Sequence, residues 1–160
     1  MDLDDLLRIL ASFEKEGLEY ALIGAVALNL HGIARTTEDL DLFIRPTAEN
    51  VERLRRALRA IWDDPHIADI STEDLLGDYP AVRYLPPGTE LYLDILTRLG
   101  EFARYEDLEI IEKELSGVRV RVASPASLYW LKKGTVRVKD RLDASLLKEK
   151  FDLPGEPEGG

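Results

Sequence analysis

The sequence predicts an α+β (mixed α/β) fold, in which helices flank a small mixed sheet. Three observations predict it. Some segments space their apolar residues at helical intervals, while others alternate with period two or form short apolar runs. These segments interleave at first, then sort into strands followed by helices. The 160 residues suit one domain, and a composition of 45% hydrophobic and 32% charged residues supports a self-standing core. The expected organisation is a single domain over residues 1–153 with a disordered tail over 154–160, where only Pro, Gly and Glu occur.

Each element has a local reason. Asp2 or Asp4 can cap a first helix, in which Leu3, Leu6, Leu7, Ile9, Leu10 and Phe13 recur until Gly17. Tyr20–Ile23 is a short apolar run, expected as a buried strand. Gly24 opens a second apolar helix, which ends near His31-Gly32. Residues 39–44 alternate with period two and predict a strand. Pro46-Thr47 opens a helix expected to reach about Trp62, with Arg53, Arg55, Arg56 and Arg59 on a solvated face. Residues 63–78 carry six acids and no Lys or Arg, and predict an exposed loop-rich insertion with one short strand. Residues 81–85 and 90–97 predict strands joined at Pro86-Pro87-Gly88. Residues 109–115 and 118–122 predict a hairpin turning at Ser116-Gly117. Helices near 124–133 and 139–150 follow, the first started by Ser124-Pro125.

Composition narrows the function classes. There are 21 basic and 31 acidic side chains, a net charge of −10, which argues against a uniformly basic nucleic-acid binder. The absence of cysteine excludes disulfides, cysteine-ligated zinc and a thiol nucleophile. Two histidines, His31 and His66, exclude a multi-histidine metal site. No apolar run reaches the roughly 18 residues of a membrane helix, and the acidic start is unlike a signal peptide, so a cytoplasmic protein is expected.

The chemistry gathers around residues 22–41. Asp39 and Asp41 are two apart on a predicted strand, so both carboxylates share a face, with Cα atoms roughly 6–7 Å apart. Leu40 and Leu42 face the core. Asp94 is a lone acid in the apolar run Leu91–Leu96. A carboxylate in such a place needs a partner or a metal. If the two strands are neighbours, three carboxylates meet on one surface. Such a set calls for a hard cation, Mg²⁺ or Mn²⁺, which takes phosphate oxygens as further ligands. Gly24, where a strand enters a helix, lets a phosphate approach the backbone and the helix N-terminus.

At these residues the sequence resembles a known group. The string Gly24 to Asp41, with Asp94, is similar to the nucleotidyltransferase superfamily of DNA polymerase beta type. The fuller pattern adds His31-Gly32, Arg35, Thr37 and Asp39-Leu40-Asp41. It is similar to the small bacterial nucleotidyltransferases of the AbiEii toxin-like group. Leu128-Tyr129-Trp130-Leu131-Lys132, then Arg137, Lys139-Asp140 and Asp143, resembles that group's C-terminal helices. One departure is Ala25, where the group has Gly or Ser: it brings no hydroxyl but keeps its N–H.

The resemblance implies metal-assisted transfer of a nucleoside monophosphate from an NTP to RNA, protein or a small molecule. Asp39, Asp41 and Asp94 would be catalytic and metal-binding. Gly24, Ala25, Arg35, Thr37, Lys132 and Lys139 would bind the nucleotide. It also implies a toxin of a toxin–antitoxin or phage-defence pair, with an antitoxin or helical partner protein.

Plainer readings stand beside these. Asp39 and Asp41 can be exposed acids on an edge strand, and Asp94 can be a structural ion pair with Arg83 or Arg98. Gly24 can be a tight turn, His31 a helix-end residue favouring the dipole, and Lys132 a solvated helix end. Tyr129 and Trp130 are expected in the core. Residues 119–150 hold nine bases and three acids, which predicts positive charge across the cleft from the carboxylates. The alternative function is a catalytically weak or inactive nucleotide- or partner-binding module. A phosphohydrolase using the same carboxylates is the third reading.

Overall fold

In helix α1 (Leu3–Glu16) the residues Leu6, Ile9, Leu10 and Phe13 recur every three to four positions and are buried. The Asp2 carboxylate caps it by accepting from the Asp4 N–H at 2.9 Å, and Gly17 ends it at φ 68°, the left-handed conformation. The structure is a computed structural model. It describes residues 2–77, 80–99, 103–133 and 138–153, with residues 133 and 138–142 described by backbone alone. The expected tail at 154–160 lies outside the described residues.

Strand β1 (Tyr20–Ile23) is buried along its whole length and runs without a loop into helix α2 (Gly24–Leu30). Strand β2 (Asp39–Ile44) follows, then helix α3 (Ala48–Arg59). Thr47 caps α3 by accepting from the Asn50 N–H at 3.1 Å. The helix is shorter than the sequence suggests because residues 60–62 continue only as a turn, with the Ile61 and Trp62 N–H groups both bonded to the Leu58 carbonyl. Its arginines pair with Glu49, Glu52 and Glu16 at the surface, as a solvated face should.

The segment after α3 corrects the sequence reading. It forms no strand among the described residues. A 3₁₀ turn (Pro65–Asp69) leads to the short helix α4 (Thr72–Leu75), and Ile67, Ile70 and Leu75 are buried. Arg55 of α3 ties this segment down by donating to the Ile70 carbonyl at 2.6 Å. The acids around these three apolar residues hide their anchoring role.

Strands β3 (Ala81–Tyr84) and β4 (Tyr92–Leu96) come next. A two-stranded ribbon, β5 (Arg98–Leu99) with β6 (Ala103–Arg104), is too short to announce itself in the sequence. Strands β7 (Ile110–Leu115) and β8 (Val118–Ala123) form the expected hairpin, with Ser116 and Gly117 both at positive φ. Helices α5 (Pro125–Lys133) and α6 (Val138–Phe151) pack against each other.

The main sheet has the order β3-β4-β2-β1-β8-β7. It is mixed: β2 is parallel to β4 and antiparallel to β1, and β1 is parallel to β8. His31, at the end of α2, joins the layers. Its Nε2 lies 2.8 Å from the Ala123 carbonyl, and its ring meets Phe151 edge-on. Burial lowers its pKa, so it acts as a neutral hydrogen-bonding group and not as a dipole-stabilising cation. Tyr129 is buried and Trp130 packs partly buried on the core, as expected.

Candidate active site

The parallel pairing of β2 with β4 sets Asp41 directly opposite Asp94, and Asp39 opposite Tyr92. In the same register Leu40 faces Leu93 and Leu42 faces Ile95, all fully buried. Because side chains alternate across a strand, the leucine ladder enters the core and the three carboxylates share the opposite face. They therefore lie on neighbouring central strands of the sheet and not on a sheet edge.

Gly24 closes this face. It has φ 73°, and a Cβ there would collide with Asp41 Oδ2 and sit 2.9 Å from Asp41 Cγ. Only glycine lets the start of α2 approach the carboxylate this closely. Ala25, next in α2, is buried. The hydroxyl of Thr37 accepts from the Asp39 N–H at 2.9 Å and donates to the Asp39 carbonyl at 3.3 Å, so it fixes the entry into β2.

The electrostatics single out Asp41. Burial pushes its carboxyl up to about 7, and the charges of Asp94 and Asp39 and a hydrogen bond with Asp94 push the same way. Lys132 of α5 opposes them, which places its ammonium within electrostatic reach of Asp41. Basic groups hold the neighbouring acids. Arg83 of β3 binds Asp94 through one guanidinium edge, donating from Nε to Oδ1 at 2.7 Å and from Nη2 to Oδ2 at 3.1 Å. Arg35, in the loop between α2 and β2, donates from Nε to Asp143 Oδ1 at 2.7 Å, and Lys132 Nζ lies 3.3 Å from Asp143 Oδ2. Asp143 is 1% exposed. It joins the loop, α5 and α6 at one point.

A family model matches residues 5–142, most of the chain: the nucleotidyl transferase AbiEii toxin of type IV toxin–antitoxin systems. The chain belongs to the AbiEii nucleotidyltransferase family. It is a nucleotidyltransferase, and solved structures agree on the fold. The solution structure of the antibiotic-resistance factor ANT(2'')-Ia matches with a TM-score of 0.57 and 18% identity over 94% of this chain and 86% of that one. A crystal structure of ANT(2'')-Ia with adenylyl-2''-tobramycin matches at 0.55 and 13% identity, over 91% and 87%. TM1012, a candidate nucleotidyltransferase from Thermotoga maritima, matches at 0.54 and 14% identity, over 94% and 92%. No curated protein matches the sequence significantly.

The donor chemistry of the AbiEii-family face suits a divalent metal. Carboxylate oxygens are hard ligands, and a cation would relieve the repulsion that raises Asp41. Among the described residues, however, no three acidic or histidine side chains stand grouped to hold a metal ion. Both oxygens of Asp94 face Arg83, which leaves Asp39 and Asp41 as the acids of this face nearest to a metal role.

The structure thus gathers Asp39, Asp41, Asp94, Gly24 and Lys132. Arg35 reaches the site region through Asp143, and Thr37 serves the backbone. The backbone of Lys139 lies in α6 and its side chain is outside the described residues. Sequence reasoning named Asp143 only inside a motif and gave it no role. Its signal was an acid one helical turn from apolar Leu146 and Leu147, a position that burial makes costly without cations.

Of the bases expected to face the carboxylates, Lys132 lies within electrostatic reach of Asp41, the side chains of Lys133, Arg137, Lys139 and Arg141 lie outside the described residues, and two arginines lie elsewhere. Arg119 pairs with Glu14, and Arg121 donates to the Tyr20 carbonyl, at the end of β1 that pairs with Ile44, far along the sheet from Asp39. A cavity of about 500 Å³, lined by Pro46, Thr97 and Arg98, also lies at that far end and is lined by none of the three site acids.

Proposed function

We propose that this face transfers a nucleoside monophosphate from an NTP to a hydroxyl acceptor, releasing pyrophosphate. The observation that supports it most is the meeting of Asp39, Asp41 and Asp94 on one sheet face against Gly24. In this proposal Asp39 and Asp41 hold Mg²⁺, or Mn²⁺ in its place. The metal supplies charge neutralisation for the triphosphate and its leaving group. Asp94 faces the acceptor, as a ligand for a second metal or as the group that takes the hydroxyl proton. The acceptor oxygen bonds to the α-phosphorus as the bond to the β-phosphate oxygen breaks. Lys132 offers a point charge to the phosphates, with Asp143 holding it and Arg35 in place.

The acceptor is RNA, a protein or a small molecule, and the family context adds an antitoxin partner. No helix among the described residues is long and apolar enough to cross a membrane, which fits the proposed action in the cytoplasm. A second reading, a weak or inactive binding module, is favoured by the engagement of Asp94 with Arg83 and by Ala25. Labelled NTPs with Mg²⁺ or Mn²⁺ and cell RNA, protein or metabolites separate the two. Label transfer that disappears in Asp39→Ala and Asp41→Ala supports the enzyme. Tight NTP binding with no transfer supports the module, and phosphate release without any acceptor supports a hydrolase.

A further inference from the structure

Arg83 stands on β3, the edge strand of the sheet, directly opposite Asp94 on β4. One guanidinium engages both oxygens of that carboxylate, at 2.7 and 3.1 Å, in the fork geometry that suits arginine. Tyr92, which shares the face, supports the same guanidinium 5.1 Å from its ring centroid. The Arg83 side chain is nonetheless 55% exposed and that of Asp94 25%. Ion pairs at such a boundary exchange readily with solvent and other ions. The contrast is with Asp143, which is 1% exposed. Asp94 is also the partner of Asp41 across the strands, so whatever cation holds Asp94 influences the whole cluster.

We infer that Arg83 is a latch, the resident counter-cation of Asp94, which a divalent metal must displace to use all three carboxylates. The inference rests on the metal-binding reading of this face and adds to it a named competitor. The two oxygens of Asp94 can serve the guanidinium fork or a metal, but not both fully. Arg83 is therefore a positioning residue that sets how tightly the face takes a metal, and Tyr92 steadies it in the latched position.

Mn²⁺ binding to the full chain without nucleotide tests this, read by the electron paramagnetic resonance signal of free Mn²⁺. Arg83→Gln removes both the competitor and a positive charge, and is expected to tighten Mn²⁺ binding roughly three- to tenfold. Arg83→Lys keeps the charge but loses the fork and falls between. Tyr92→Leu shifts affinity in the same direction by less. In an Asp94→Asn background the gain from Arg83→Gln shrinks to less than about twofold, since no carboxylate is then contested. A merely structural arginine would alter the melting temperature and leave Mn²⁺ affinity where it was. Unchanged or weaker Mn²⁺ binding in Arg83→Gln, with wild-type binding that depends on Asp41, overturns the latch and leaves the metal site standing. Binding that is indifferent to Asp41→Asn in every variant overturns the metal reading and the latch together.

Discussion

Asp94 and Asp143 both answer to an arginine, and both contacts are linked to Asp41, the first through the strand pairing and the second through Lys132. Asp94 meets Arg83 at the sheet edge, with the guanidinium half in solvent. Asp143 meets Arg35 and Lys132 in the interior, with almost no exposure. The chemistry of the pairs is alike, so burial decides what each does. A buried carboxylate with two cations is fixed, because either partner left alone would be an uncompensated charge. An exposed pair is weakly held and can open. The site thus has one rigid basic anchor and one releasable one, and the acid linked to both is the one whose carboxyl is raised.

The largest expected effect tests the rigid side. Asp143→Ala leaves Arg35 and Lys132 facing each other and is expected to destabilise the fold by about 3 kcal/mol. By the same measurement, thermal or urea unfolding, Arg83→Gln is expected to change stability far less, since its ion pair is exposed to solvent. Equal losses in the two variants would break the comparison.

The next effect concerns the acid linked to both anchors. The carboxyl of Asp41 lies at about 7 in the fold against 3.8 in the open chain. Its ionisation therefore opposes folding above about pH 7, and that opposition fades as the pH falls toward 4. In EDTA at pH 8, Asp41→Asn is expected to raise stability by about 2 kcal/mol, a melting temperature several degrees higher, and to flatten the slope with pH. A lower melting temperature for the variant would show that Asp41 is well accommodated without a metal.

A smaller effect comes from His31, a buried polar contact to the Ala123 carbonyl that also feels the charge of Lys113. Burial holds its folded pKa below the ordinary 6.5. Its contribution is present above that value and is lost as the pH falls through the folded pKa. Between pH 7 and pH 5 the wild type should lose about 0.5–1 kcal/mol more than His31→Gln. Taking the difference between the two proteins cancels the opposing change at Asp41. Identical slopes would show that His31 carries no part of the pH dependence.

Much of this was legible in the sequence, for reasons tied to particular residues. Leu40 and Leu42 alternating with Asp39 and Asp41 announced a strand with an acidic face, and Gly24 between a strand and a helix announced a close approach. That Asp94 would pair with Asp41 was legible only as a conditional, since the register of parallel strands comes from distant segments. The ion pair with Arg83 stood as a rival to a metal role, and the structure contains that pair on the same face as the other two acids. Asp143 stayed obscure because its value depends on burial beneath a loop more than a hundred residues away in sequence. The buried role of Ile67, Ile70 and Leu75 was masked by the acids around them, which composition weighs more heavily than spacing.

The proposed chemistry stands or falls with Asp39 and Asp41 as the metal end of the nucleotidyltransferase site and Asp94 as its third acid. A crystal soaked with an NTP and Mn²⁺, read by anomalous scattering, decides the matter. The expected result is Mn²⁺ bound by the carboxylates of Asp39 and Asp41, Asp94 turned from Arg83 toward the site, and the triphosphate beside Gly24. Mn²⁺ and triphosphate bound elsewhere, with Asp94 still held by Arg83, would contradict it.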